Sequence, residues 1–149
     1  MESAPPPAEL GALLLAFATP PKRRDPRRIE TAGDRGALES GSVELLLMPR
    51  LSDRAQTRET LRTARRVLAR RGRVALALPP EALGWIFLEL AAIGLVAKRA
   101  QMVHADRSSP AIAIFVEAQA GKPDGLVVEP PLVAAVTNLG GVDGIRTHV

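Results

Sequence analysis

At 149 residues the chain fits one domain, and 46% hydrophobic content supports a core that Leu, Val and Ala must fill, since only 3% is aromatic. The absence of cysteine excludes disulfides and thiolate metal sites and suits a cytoplasmic protein. A net charge of +4 favours anionic partners, and the two histidines, His104 and His148, are too far apart in sequence to suggest metal ligands.

Residues 1–9 are rich in Pro and Ala and are expected to be disordered. Residues 10–18 (LGALLLAFA) are as apolar as a signal-peptide core, but the preceding MESAPPPAE is acidic where an export signal needs positive charge. TPPKRRDPRR follows, with five basic residues and one acidic residue among prolines. It reads as a solvated linker, with an arm that grips phosphates as the alternative. Residues 1–28 are therefore expected to form a flexible segment, and 29–42 a turn-rich lead into the domain.

Residues 43–78 organise the rest. Val43 to Met48 is a short apolar run without helical spacing, so it reads as a buried strand, ended by Pro49. Ser52 or Asp53 can cap a helix on which Leu61, Ala64 and Leu68 make the apolar face. Gly72 stands where a left-handed helix stop is wanted, and 73–78 (RVALAL) is a second strand. Such a unit makes a parallel crossover, right-handed by the general rule. Arg54, Arg58, Arg62, Arg66 and Arg70 recur at steps of four and form a ridge. One reading is an ordinary solvent face with Asp53 and Glu59 pairing some arginines; the other is a nucleic-acid track, without aromatic residues to stack on bases.

Pro79 and Pro80 lead into a helix over 81–95, stopped by Gly94. Leu83, Ile86, Phe87 and Leu90 share one face, with Trp85, Leu88 and Ala92 off it, so burial on more than one side is expected. At 15 residues and carrying Glu89, the apolar stretch 83–97 is too short for a bilayer, and no membrane partner is expected. Residues 98–105 and 111–118, joined by DRSSP, read as an antiparallel hairpin beginning near His104. Two short strands flank Pro130 and Pro131, and 137–149 read as a loose tail. No nucleophile set and no paired carboxylates stand out.

The stretches LRTARRVLARRGRVALALPPEAL, MVHADRSSPAIAIFVEA and GLVVEPPLV, in this order of elements, resemble the second half of the S-adenosylmethionine-dependent methyltransferase fold. More narrowly, they resemble bacterial enzymes that methylate the exocyclic amine of an adenine in a valine tRNA. The likeness covers roughly residues 30–135, and GALLLAFA is similar to the segment that precedes the family's cofactor half. It implies a partial doubly wound α/β sheet over 29–136 with an antiparallel C-terminal hairpin, S-adenosylmethionine as cofactor, and tRNA or another RNA as partner. It also implies that Asp34 approaches the cofactor's adenine. The pattern departs in two places. No Asp-x-Gly-x-Gly loop follows an apolar strand, and where the family has the catalytic Asn-Pro-Pro-Tyr this chain has Met48-Pro49-Arg50-Leu51, of which only Pro49 matches. The resemblance thus implies a truncated or degenerate methyltransferase with little or no activity of its own, with Pro49 the only remnant of the catalytic motif; the alternatives are a non-catalytic RNA- or protein-binding module, or one half of a methyltransferase completed by a partner chain. Half a sheet leaves an edge open, expected at Val43–Met48, and with it self-association or a partner chain.

Overall fold

The computed structural model describes residues 7–33, 38–51, 53–121, 125–134 and 145–147. Helix α1 (Pro7–Ala18) comes first, then strands β1 (Ile29–Thr31) and β2 (Val43–Met48), helix α2 (Arg54–Val67) and strand β3 (Leu68–Leu78). A turn of 3₁₀ helix (Pro80–Ala82) leads into α3 (Leu83–Ala92), followed by β4 (Leu95–His104) and β5 (Ala111–Ala120). The short strands β6 (Val127–Val128), β7 (Leu132–Ala134) and β8 (Ile145–Thr147) close the chain.

Among the described residues the strands form one sheet in the order β1-β2-β3-β5-β4-β7-β8, with β6 also on β4. β1, β2 and β3 are parallel, and β5 runs antiparallel to both β3 and β4. The expected mixed α/β sheet with its antiparallel hairpin is therefore present. Its central strands are apolar at nearly every position because both faces are covered. On one face, Leu46, Met48, Val74, Leu76 and Val116 pack against Leu61 and Ala64 of α2 and Ile86 and Leu90 of α3. On the other, Leu45, Leu47, Ala75 and Phe115 pack against Leu13, Leu14 and Phe17 of α1.

That second layer corrects the expectation of a flexible segment over 1–28. Residues 7–18 are a helix with Leu14 fully buried, and the basic linker is tied down. Arg23 pairs with Glu117 at 2.7 Å, the Arg27 amide donates to Glu44 Oε1, and the Arg28 carbonyl accepts from the amides of Glu44 and Leu45. The linker delivers the chain to β1, a strand that the turn-rich composition of 29–42 conceals. β1 pairs with β2 through Ile29–Leu45 to Thr31–Leu47, so Val43–Met48 is an inner strand and the outer edge is the three-residue β1. In the C-terminal segment, 145–147 pair with β7 rather than hanging free.

The α2–β3 joint also differs from expectation. The helix stops at Val67, and Leu68 already pairs with Val43 as a strand residue. Val43 faces Leu68 and Leu45 faces Arg73, so a step of two on β2 is matched by a step of five on β3. Residues 69–72 loop out between these points. Gly72 does not adopt a left-handed conformation; it returns the chain to the sheet, where a Cβ would lie 2.7 Å from the Val43 carbonyl oxygen. Gly94 is the left-handed stop, with φ +77° and its amide on the Ala91 carbonyl. α3 is buried on one side only: Ile86 and Leu90 face the sheet, while Leu88 is 62% exposed.

Candidate functional site

In open α/β sheets ligands gather outside the carboxyl ends of the parallel strands. Here that edge is made by Thr31–Gly33 after β1 and by Pro49–Leu51 after β2, with Gly11 of α1 beside Pro49. Met48 is buried in the core beneath α2 and α3, and Leu51 packs against the same cluster. Pro49 is half-buried and Arg50 is exposed. A hydrophobic pair thus stands where the resemblance calls for an amine acceptor and a stacking ring. Asp34, the expected cofactor contact, lies outside the described residues, as does Ser52. Asp53 caps α2, accepting from the Gln56 amide at 2.8 Å.

Gly33, the last described residue after β1, has open space where a Cβ would stand. Among the described residues no group of three or more His, Asp or Glu is placed to hold a metal ion.

The arginine ridge is real but mostly engaged. Arg54 Nε donates to Glu89 Oε2 at 2.6 Å, and Arg58 takes both carboxylate oxygens, Nε to Oε1 and Nη2 to Oε2, each at 2.9 Å. The Glu89 side chain is only 5% exposed. Its carboxyl is held down at about 2, first by the hydrogen bond from Arg58, then by that from Arg54, against the opposing effect of burial. The same contact raises the Arg58 guanidinium further. Arg54 also lies 5.8 Å over the Trp85 ring. Sequence reasoning missed Glu89 as the partner because it is 31 residues beyond Arg58, and assigned part of that role to Asp53, which caps the helix instead.

Further along, Arg62 pairs with Glu59 at 2.8 Å in a fully solvated contact, and such pairs are worth about 0–1 kcal/mol. Arg66 donates to the Leu38 carbonyl and the Ser40 hydroxyl. Arg70 is not on the helix; it stands on the 69–72 excursion at the amino edge of the sheet. A cleft of about 320 Å³ runs along Arg54, Arg58, Arg62, Leu88 and Ile93. His104 is part of the hairpin, its Nδ1–H donating to the Ser109 carbonyl at 2.8 Å.

A second charged cluster lies under α1. Glu117 on β5 is 2% exposed and meets Arg73 at 2.6 Å, Arg23 at 2.7 Å and Arg99 at 3.4 Å. Arg73 and Arg99 also donate to the Ala18 and Phe17 carbonyls, and Arg99 lies 4.3 Å over the Phe17 ring. These last carbonyls of α1 have no partners within the helix, so the arginines satisfy them and complement the helix dipole.

Compared with known proteins, the chain matches no protein-family model. No curated protein is significantly similar to it. Among solved structures it is similar to a predicted O-methyltransferase, protein Atu636 of Agrobacterium tumefaciens, with a TM-score of 0.55 at 19% identity. The likeness covers 72% of this chain and 49% of that one, so this chain spans about half the length of its structural neighbour. The fold is methyltransferase-like. Among the described residues no helix is long and apolar enough to cross a membrane.

Proposed function

We propose that this chain is a methyltransferase-like protein related to the tRNA adenine methyltransferases, with little or no transfer activity of its own, whose remaining role is to bind RNA. The observation that carries the reading is the corner after β2. Positioning catalysis depends on holding the target amine in a near-attack geometry. Met48 turned into the core and Leu51 packed on it supply no side-chain hydrogen-bond acceptor for that amine. What remains is a basic surface. The exposed Arg62, in a weak pair with Glu59, and Arg66, on neutral oxygens, are able to turn toward phosphates, whereas Arg54 and Arg58 are committed to Glu89.

Calorimetric titration with S-adenosylmethionine and a salt series of tRNA affinity test this together. Absence of cofactor heat from a folded chain, with a steep fall of RNA affinity in salt, is the expected result. Saturable micromolar cofactor binding would overturn the inactive half of the reading. A salt-independent or undetectable RNA affinity would overturn the other half.

A second reading rests on the outer edge of β1. It is three residues long, and Ile29 is 41% exposed, which suits a partner chain that continues the sheet and completes a cofactor half. Light scattering decides it: a monodisperse monomer at high concentration excludes self-association, and a partner would then have to be another protein.

A further inference from the structure

The basic cluster best arranged for an anion is not on the helix. At the amino edge of the sheet, a groove of about 390 Å³ has the 69–72 excursion as one wall and the 23–26 linker as the other. Five arginines line it: Arg23, Arg24, Arg70, Arg71 and Arg73. Arg23 and Arg73 share the buried Glu117. Arg24, Arg70 and Arg71 are exposed and have no hydrogen bond or ion pair among the described residues. Two acids also line the groove, Asp25 and Glu44, and Glu44 is held by the Arg27 amide.

Both walls are built in place. The linker is pinned by Arg23–Glu117 and Arg27–Glu44, with Pro20, Pro21 and Pro26 restricting its backbone. The excursion interrupts the β2–β3 ladder and places two adjacent arginines outward, as bulges do when they re-aim side chains. Its return is fixed by the close approach of Gly72 to Val43. Lost pairing that presents two unpaired cations brings no stability by itself, so a ligand is the simplest account of it. The volume lies within the range of about 300–1,000 Å³ typical of ligand sites. No aromatic ring lines the groove, which favours charge over base stacking.

We infer that this amino-edge groove is a phosphate site, formed by Arg24, Arg70 and Arg71, for the backbone of an RNA strand. Its RNA occupant rests on the function proposed above; the anion site itself does not. It is distinct from the helix ridge: it is lined by the 23–26 linker and the 69–73 segment, whereas the cleft along Arg54, Arg58 and Arg62 shares none of these residues.

The test compares the intact chain with two variants, Arg24→Gln/Arg70→Gln/Arg71→Gln and Arg62→Gln/Arg66→Gln. The probes are an unmodified tRNA transcript and inorganic tripolyphosphate, with melting curves to confirm folding. Loss of three phosphate contacts should flatten the salt slope by about 2.1–2.7, so that between ~50 and ~200 mM salt the parent loses roughly 20- to 40-fold more affinity than the groove variant. The Arg70→Gln/Arg71→Gln pair alone should give most of this change. A larger loss of slope in the groove variant than in the helix variant supports the site. RNA binding with an unchanged slope in the groove variant overturns the groove and leaves the RNA reading standing. Tripolyphosphate bound by the parent and lost in the variant, without RNA binding, keeps the groove as a free-phosphate site and overturns the RNA reading. Binding of neither probe overturns both.

Discussion

Glu89 of α3 receives Arg58 of α2 side-on, Nε and Nη2 each 2.9 Å from a different carboxylate oxygen. A two-pronged guanidinium–carboxylate contact fixes direction as well as distance. Together with Arg54 it locks the first turns of the crossover helix against α3, the layer that covers one face of the sheet. Charges that look on paper like a nucleic-acid track are here partly a device of assembly.

The lock sets a pH dependence. Glu89 is depressed to about 2 in the fold from an ordinary carboxyl value of 4.5. A group whose pKa is lowered by folding contributes fully above its unfolded value, and that contribution is lost as pH falls through the folded one. The wild-type chain should therefore lose the Glu89 contribution between about pH 4.5 and 2. Glu89→Gln should melt several degrees lower at neutral pH and decline less steeply through that acid window. Melting curves from pH 7 to 2 check this; parallel wild-type and variant curves would show that the contact does not hold α2 to α3.

Glu117 serves a different layer. It compensates Arg73 and Arg99, whose side chains are 11% and 14% exposed, and through them holds the last carbonyls of α1. Glu117→Gln keeps the volume but leaves the largely buried Arg73 without its anion, while Arg99 keeps Glu129 at 2.9 Å. Removal of one partner from a buried pair costs about 3–5 kcal/mol, which for a chain of this size lowers Tm by roughly 6–20 °C. Urea or thermal unfolding measures it, and a loss below about 1 kcal/mol would place the cluster among ordinary surface pairs.

The packed α1 predicts a third effect. Leu14 is fully buried among Leu45, Leu47 and Phe115 of the sheet. Leu14→Ala should cost about 2–5 kcal/mol, whereas Leu15→Ala, at a position 38% exposed, should cost little. Equal, small losses at both positions would return residues 7–18 to the status of a flexible leader.

The contrast between what was legible and what was not follows sequence separation. Val43–Met48, the Asp53 cap, the Gly94 stop and the 111–120 strand announce themselves through local patterns of apolarity, capping and turn residues. α1 gave no such sign of its docking: its last turn holds no basic residue, and the arginines that finish it are 55 and 82 residues away. β1 hides in a run of polar and turn-forming residues because three residues are too few to show alternation. The arginine ridge was visible as spacing, but its neutralisation by Glu89 depends on α3 lying beside α2. The groove at the amino edge was invisible for the same reason, since residues 23–26 and 69–73 meet only in the fold.

The two structural glycines separate space from conformation, and substitution tells them apart. At Gly72 the φ angle is ordinary, but a Cβ would stand 2.7 Å from the backbone oxygen of Val43 and 3.0 Å from Ala69. Any side chain must push the excursion away from β2, and Gly72→Ala should cost about 1–3 kcal/mol. At Gly94 the nearest atom is the Arg65 Nε at 4.0 Å, so there is room, but φ is +77°. Gly94→Ala should cost about 1–2 kcal/mol through the left-handed backbone alone. Asparagine tolerates that conformation, so Gly94→Asn should recover part of the loss while Gly72→Asn should be worse than Gly72→Ala. Denaturant midpoints for the four variants decide the matter. Recovery by asparagine at position 72 would mean that the excursion turns through a left-handed residue after all, and that Arg70 and Arg71 are presented differently from the geometry described above.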